Sequence, residues 1–143
     1  MKNKDRSLIV LAILIGAYAM FMFIFSESLN YVELNKEFSL KINQNAFIRS
    51  EFIKIKLIDI SDSRCPKGVQ CVWTGEARAE INILKNNQDV GTFNLTLGSG
   101  RNDESTINFD KYSVKLTAVE PYPILNQTIK EKIATLLVQK LNS

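Results

Sequence analysis

Residues 77–97 read ARAEINILKNNQDVGTFNLTL, and this stretch predicts a β-hairpin. In its first half, apolar residues occupy every second position from Ala77 to Ile83, with polar residues between them. This period of two is typical of a strand with one buried face. Residues 86–89 are of the types that form turns, and the alternation resumes over residues 93–97. The stretch therefore predicts two antiparallel strands.

The same alternation recurs on both sides of this hairpin. Further strands are predicted at Phe38, Leu40 and Ile42, at Ile53, Ile55 and Leu57, at Ile107 and Phe109, and at Val114, Leu116 and Ala118. The phase slips next to Ile58, which indicates a β-bulge or a strand that passes into a buried region. Pro121 and Pro123 end the strand before them, because proline has no backbone N–H for a central ladder.

A last apolar run covers residues 133–141 and fits either a strand or a short helix. Thr135 and Val138 are β-branched and favour the strand. With this run the chain has about seven strands separated by turn signals, as in an antiparallel β-sandwich of immunoglobulin-like general shape. A small barrel is the alternative. The predicted β-domain covers residues 37–143.

The N-terminal part of the chain has a different pattern. No charged residue lies within residues 8–25, whereas Lys2, Lys4 and Arg6 precede them. A helix of this length spans about 27 Å, close to the thickness of the hydrocarbon core. The sequence thus predicts a single transmembrane helix over residues 8–25, a cytoplasmic segment over 1–7, a connector over 26–36 and an extracytoplasmic β-domain.

A cleaved signal peptide is the alternative to this anchor. Ala17, Tyr18 and Ala19 have the small-x-small form of a cleavage site. Cleavage there would leave an apolar, exposed N-terminus beginning at Met20, so we favour the uncleaved anchor. The expected partners are then the membrane and other membrane or cell-surface proteins.

Composition excludes several classes of activity. The chain has no histidine, which removes Ser-His-Asp and Cys-His catalysis and imidazole ligands for metals. The net charge of +3 is too small to indicate a nucleic-acid surface. Asp59 and Asp62 could act as paired acids, but strand ends often carry such residues. We predict no catalytic residue, no metal and no cofactor.

Residues 62–77 read DSRCPKGVQCVWTGEA and form the one distinctive segment. Cys65 and Cys71 enclose Pro66 and Gly68, residues that favour a tight turn. Because disulfides persist outside the cytoplasm, we predict a disulfide between these cysteines. A metal site would need two further soft ligands, which the chain does not offer.

This segment resembles a motif of a family of uncharacterised exported or lipid-anchored prokaryotic proteins. The motif residues are Asp62, Ser63, Arg64, Cys65, Pro66, Gly68, Val69, Cys71, Val72, Trp73 and Gly75. The resemblance extends more loosely to Phe38 and Leu40 and to residues 121–123. It implies a small β-rich exported domain and brings no known activity.

The motif has a structural and a binding interpretation. In the structural one, which we favour, Trp73 is buried, Arg64 pairs with Asp62 and the loop closes one end of the sandwich. In the binding one, a loop made rigid by the disulfide presents Lys67 and Gln70 to a partner.

Three functions are compatible with the sequence. The first is a non-enzymatic, membrane-anchored domain with a binding or assembly role. The second is an accessory single-pass subunit of a larger membrane complex, and the third is an exported enzyme that uses carboxylates. Asn94 and Asn126 lie in sequons and are glycosylation sites only in an organism that glycosylates exported proteins.

Overall fold

The computed structural model describes residues 2–24, 29–98, 100, 102–128 and 131–141. Within them lie one helix and nine strands. Their bounds are α1 (Lys2–Ile24), β1 (Leu29–Val32), β2 (Glu37–Lys41), β3 (Asn45–Ile48), β4 (Ile53–Asp62), β5 (Ala77–Lys85), β6 (Gln88–Leu97), β7 (Thr106–Phe109), β8 (Tyr112–Glu120) and β9 (Ile133–Lys140). Two short 3₁₀ turns, Arg49–Glu51 and Asn102–Ser105, precede β4 and β7.

The strands form two sheets. The five-stranded sheet has the order β1-β3-β4-β5-β6, and the four-stranded sheet has the order β2-β9-β8-β7. All neighbouring strands are antiparallel except β1 and β3, which are parallel. The prediction of an all-β, sandwich-like fold is confirmed at this level, and the predicted hairpin of residues 77–97 is formed by β5 and β6.

One continuous core lies on the inner faces of the strands. In β5 every second residue from Ala77 to Ile83 is fully buried, as the alternation predicted. Leu116 and Leu136 supply the same kind of side chain from the four-stranded sheet. Burial of such aliphatic side chains is the main favourable contribution to the stability of a domain of this type.

The predicted irregularity near Ile58 is a β-bulge. The register between β4 and β5 shifts between Leu57 and Asp59, so the inward-facing positions change phase there. The last apolar run is a strand, β9, and it lies between β2 and β8. In β9 the side chains of Ala134, Leu136 and Val138 are buried, and the residues between them are half-buried.

The sandwich begins earlier than we predicted. β1 lies inside the predicted connector of residues 26–36 and pairs with β3, a second strand that the sequence did not indicate. Both have only four residues, too short for alternation to stand out. β2 ends at Lys41, so Ile42 lies beyond the strand and is exposed.

The predicted membrane span of residues 8–25 is not confirmed. Among the residues that the structure describes, no helix is long and apolar enough to cross a bilayer. Phe25, the last residue of the predicted span, lies outside the described residues.

Candidate functional site

The distinctive cysteine segment extends the β4–β5 hairpin beyond its last paired residues. The Ser63 N–H donates to the Glu76 carbonyl at 2.8 Å, and the Cys65 N–H donates to the Thr74 carbonyl at 2.9 Å. A disulfide joins Cys65 to Cys71, with 6.0 Å between the two Cα atoms. The predicted disulfide is therefore present, and it closes the end of a hydrogen-bonded hairpin.

Two glycines of the motif have left-handed backbone conformations for different reasons. Gly75 has a φ of +71°, and a Cβ atom there would lie 2.0 Å from the Ser63 carbonyl oxygen. Gly68 has a φ of +87°, but nothing lies within 4 Å of a Cβ at this position. Gly75 is thus required by a close backbone contact, and Gly68 only by the local turn.

A buried carboxylate fixes the base of the loop. The Asp62 side chain is fully buried and accepts hydrogen bonds from Arg64 Nε at 2.8 Å and from Arg64 Nη2 at 2.7 Å. Lys132 Nζ lies 2.5 Å from the same carboxylate. The predicted pair of Asp62 and Arg64 is present, and Lys132 adds a second cation that the sequence did not indicate.

These contacts change the acidity of Asp62. Burial alone would raise its pKa, but hydrogen bonds from Arg64 and Lys132 outweigh burial and lower the pKa to about 2. The hydrogen bond with Asp62 raises the pKa of Arg64. The Asp62 carboxylate is therefore ionised at neutral pH and is held as a structural anion.

The disulfide loop is held against a second loop, residues 121–128. The Arg64 guanidinium lies 4.4 Å from the centroid of the Tyr122 ring, and the Lys67 ammonium lies 5.4 Å from it. Arg64 also donates to the Val119 carbonyl at 2.7 Å, and the Lys67 N–H donates to the Pro123 carbonyl at 3.0 Å. The two loops thus form one surface at this end of the sandwich.

Trp73 is exposed, which corrects our expectation that its ring is buried. Its exposed fraction is 65%, and that of its neighbour Val72 is 110%. The reason is geometric: the hairpin extension carries both residues past Ala77, where the buried face of β5 begins. Part of the second loop is exposed as well. We call the exposed apolar residues of both loops the apolar tip: Val69, Val72, Trp73, Ile124 and Leu125.

The remaining residues that the sequence singled out are dispersed. Ser63 Oγ donates to the Glu76 carbonyl at 3.0 Å, and Pro66 is partly buried inside the loop. Asn94 is exposed on β6, and Asn126 is exposed in the second loop. The two sequons therefore lie on different elements and do not form one site.

The possible acid pair does not form. Asp59 is exposed and lines a polar cavity of about 300 Å³ with Ser61, Arg78, Glu80 and Asn94, whereas Asp62 is buried in its ion pairs. Within the described part of the chain, no group of three or more histidine, cysteine or acidic residues could hold a metal ion.

Sequence reasoning missed Tyr122 and Lys132 as parts of this site. Residues 121–123 indicate the end of a strand and belong to the looser part of the resemblance, but neither observation places Tyr122 beside the disulfide loop. Lys132 lies 70 positions from Asp62. The unusual Pro-Tyr-Pro sequence is the only signal for Tyr122. No local pattern connects Lys132 with the cysteine segment.

A second buried polar cluster lies at the opposite end of the sandwich. The hydroxyl of the buried Tyr112 donates to the Glu51 carboxylate, and Lys85 Nζ lies 4.7 Å from the Tyr112 ring. Burial and the contact with Glu51 raise the pKa of Tyr112 to about 12. This cluster ties the Arg49–Glu51 turn to β8, and the apolar side chains of Phe52, Val90 and Leu141 are exposed at the same end.

Comparisons of the chain with protein-family models, with curated proteins and with solved structures find no match. The arrangement at the disulfide loop combines a rigid backbone, satisfied buried charges and an exposed apolar tip. Such a surface is suited to binding. Its exposed side chains are apolar and can be covered by a partner, and its buried charged groups already form ion pairs.

Proposed function

We propose that the protein is a non-enzymatic, extracytoplasmic β-domain that binds a component of the membrane or cell surface through its disulfide loop. The observation that carries this proposal is the exposure of Trp73 at the end of a disulfide-closed hairpin. Tryptophan is enriched among the residues that dominate binding energies at interfaces. An exposed tryptophan with exposed apolar neighbours marks a surface that gains free energy when it is covered.

The rigidity of the loop supports a binding role. The disulfide, the backbone bond from Cys65 to Thr74 and the close contact at Gly75 restrict the loop before any partner arrives. A surface that is ordered in advance loses less conformational entropy on binding. The ion pairs of Asp62 hold the base of the loop and leave Val72 and Trp73 free for contacts.

The charge state of the site favours binding over catalysis. A general acid or base works best with a pKa near the ambient pH, whereas the pKa of Asp62 is lowered to about 2. Its oxygens accept hydrogen bonds from Arg64 and Lys132, so they are already occupied. Asp62 is thus suited to hold the loop in place.

The disulfide supports an extracytoplasmic location. Disulfides form and persist in oxidising compartments and are rare as structural elements in the cytoplasm. The resemblance of the Asp62–Gly75 segment to exported and lipid-anchored prokaryotic proteins is consistent with the same location.

A photo-crosslinking experiment tests the proposal. A photoreactive amino acid is placed at Val72 in one variant and at Val90 in another, both exposed valines, the second at the opposite end of the sandwich. After irradiation of cells that produce each variant, we expect a specific adduct from position 72 that Trp73→Ala abolishes. Equal adducts from both positions, or an adduct that persists in Trp73→Ala, would contradict a binding role of the loop.

A further inference from the structure

The apolar tip is a projecting surface formed by two loops. Val72 and Trp73 point into solvent from the first loop, and Ile124 and Leu125 from the second. A parallel bridge between Lys67 and Ile124 links the loops. The Trp73 indole N–H has no hydrogen-bond partner among the described residues. The tip thus combines exposed apolar side chains with an indole N–H donor, a combination that the membrane interface accommodates.

Charged groups lie beside this tip. Arg64 and Lys132 share the buried carboxylate of Asp62, and Glu120 also attracts the Arg64 guanidinium, so these four groups balance in charge. The Lys67 ammonium lies over the Tyr122 ring, and no carboxylate of the described residues lies within ion-pair distance of it. The acidic side chain next to Tyr122 is Glu120, which accepts a hydrogen bond from the Tyr122 N–H at 3.0 Å. The charge around the tip is complementary to an anionic surface.

The direction of β1 adds an independent observation. β1 is parallel to β3, and Leu29 is level with Asn45, which is in turn level with Lys56 of β4. β4 continues from Lys56 to Asp62 and into the disulfide loop. β1 therefore starts at its end nearer the disulfide loop and runs away from it.

We propose that the partner of the apolar tip is an anionic lipid bilayer, with Val72 and Trp73 inserted at the headgroup level and Lys67 beside the lipid phosphates. This inference deepens the proposed binding function and rests on it. Tryptophan prefers the membrane interface, where its ring is in an apolar medium and its N–H reaches polar groups. Loop insertion of this kind combines apolar burial with attraction between cations and anionic lipids.

The single tryptophan of the chain makes the test specific to the loop. The full-length protein, in dilute detergent, is titrated with vesicles of phosphatidylcholine and phosphatidylglycerol in equal parts, with brominated acyl chains that quench tryptophan. We expect the Trp73 emission to shift to shorter wavelength and to be quenched. Because the signal comes from Trp73 alone, vesicle contacts of α1 do not produce it.

Matched variants separate the contributions of charge and of apolar burial to lipid binding. Lys67→Gln is expected to raise the lipid concentration for half-maximal quenching about fivefold, through the loss of one cation. Val72→Ser is expected to raise it about tenfold, through lost apolar burial. Lys111→Gln and Val90→Ser, exposed positions at the opposite end, should leave it unchanged. High salt should weaken the quenching of the unmodified protein.

Three outcomes would overturn the inference. No quenching with any vesicle would exclude lipid insertion of the tip. Equal quenching with pure phosphatidylcholine would exclude an anionic surface. Equal effects of Lys67→Gln and Lys111→Gln would exclude the assigned role of Lys67. If the vesicle test fails while the crosslink to a protein at position 72 remains, the proposed function stands with a protein partner. Loss of both results overturns the proposed function as well.

Discussion

Lys132 Nζ lies 2.5 Å from the Asp62 carboxylate, across 70 positions of the sequence. Asp62 is the last residue of β4, and Lys132 immediately precedes β9, so the contact joins the two sheets at the end that bears the disulfide loop. Arg64 completes the ion cluster from within the loop. The buried Asp62 carboxylate therefore helps to hold the loop against the sandwich, together with the contacts of Arg64 and Lys67 to residues 119–123.

Replacement of this carboxylate should destabilise the fold. Asp62→Asn keeps the size of the side chain but leaves Arg64 and Lys132 without a counter-charge, which should cost about 2–3 kcal/mol of unfolding free energy. The matched control is Glu131→Gln, which removes the exposed ion pair with Lys41 and should cost under about 1 kcal/mol. Urea unfolding of both variants measures the two values. Equal losses of unfolding free energy would show that the buried ion cluster contributes no more to stability than the exposed ion pair.

The pH dependence of stability should carry the signature of Asp62. Its pKa in the folded protein is lowered from 3.8 to about 2, so the ionised form stabilises the fold above pH 4. That stability, about 2 kcal/mol, is lost as the pH falls from about 4 to about 2, because the unfolded carboxyl takes up a proton in this range and the folded one does not. Unfolding of the unmodified protein and of Asp62→Asn between pH 2 and 6 should give a difference that shrinks towards pH 2. A constant difference would contradict this assignment.

Gly75 and Gly68 should differ in their tolerance of alanine. At Gly75 the new Cβ would lie 2.0 Å from the Ser63 carbonyl oxygen, so the hairpin must shift and we expect a loss of about 3 kcal/mol or more. At Gly68 the Cβ meets open space, and only the left-handed backbone opposes it, at about 1 kcal/mol. Thermal melting of the two alanine variants gives the comparison. The same melting temperature for both would argue against the close backbone contact at Gly75.

Trp73 should contribute little to folding despite its size. Because its ring is largely exposed, Trp73→Ala is expected to change the unfolding free energy by less than about 1 kcal/mol. Phe38→Ala serves as the reference, since Phe38 is buried in the core and its truncation should cost about 3–5 kcal/mol. Urea unfolding of both variants measures the two losses. If Trp73→Ala lowers the unfolding free energy as much as Phe38→Ala, the Trp73 ring is buried and our assignment is wrong.

The disulfide should stabilise the loop end measurably. Cys65→Ser combined with Cys71→Ser is expected to lower the unfolding free energy by about 2 kcal/mol, the chain-entropy value for so short a loop. Mass spectrometry of the unreduced protein should show a mass about two daltons below that of the reduced chain, and a linked peptide. Two freely alkylated thiols in protein from its native compartment would contradict the disulfide.

Local alternation accounts for the part of the fold that the sequence predicts. β2, β4, β5, β6 and β8 all show a period of two, and the bulge at Leu57–Asp59 is visible as a phase slip. The sequence does not predict β1 and β3, because each has only four residues, too few to show a period of two. The parallel pairing of β1 with β3 has no local signal at all, since it depends on which edge of the sheet the chain reaches.

In the candidate site, too, the sequence predicts contacts between residues close together in the chain but not those between distant residues. The disulfide and the pair of Asp62 with Arg64 join residues close together in the chain, and the sequence predicts both. The prediction of a buried Trp73 is wrong, because burial depends on where the hairpin extends beyond the core. The contacts of Arg64 with Tyr122 and of Lys132 with Asp62 bring together three separate segments of the chain.

The sequence by itself determined most of the strands, the bulge and the covalent closure of the loop, since each depends on the order of neighbouring residues. The tertiary structure alone decided the strand order, the distant partner of Asp62 and the outward position of the apolar tip. These features arise from contacts between residues far apart in the chain, and such contacts exist only when the two sheets pack around their common core.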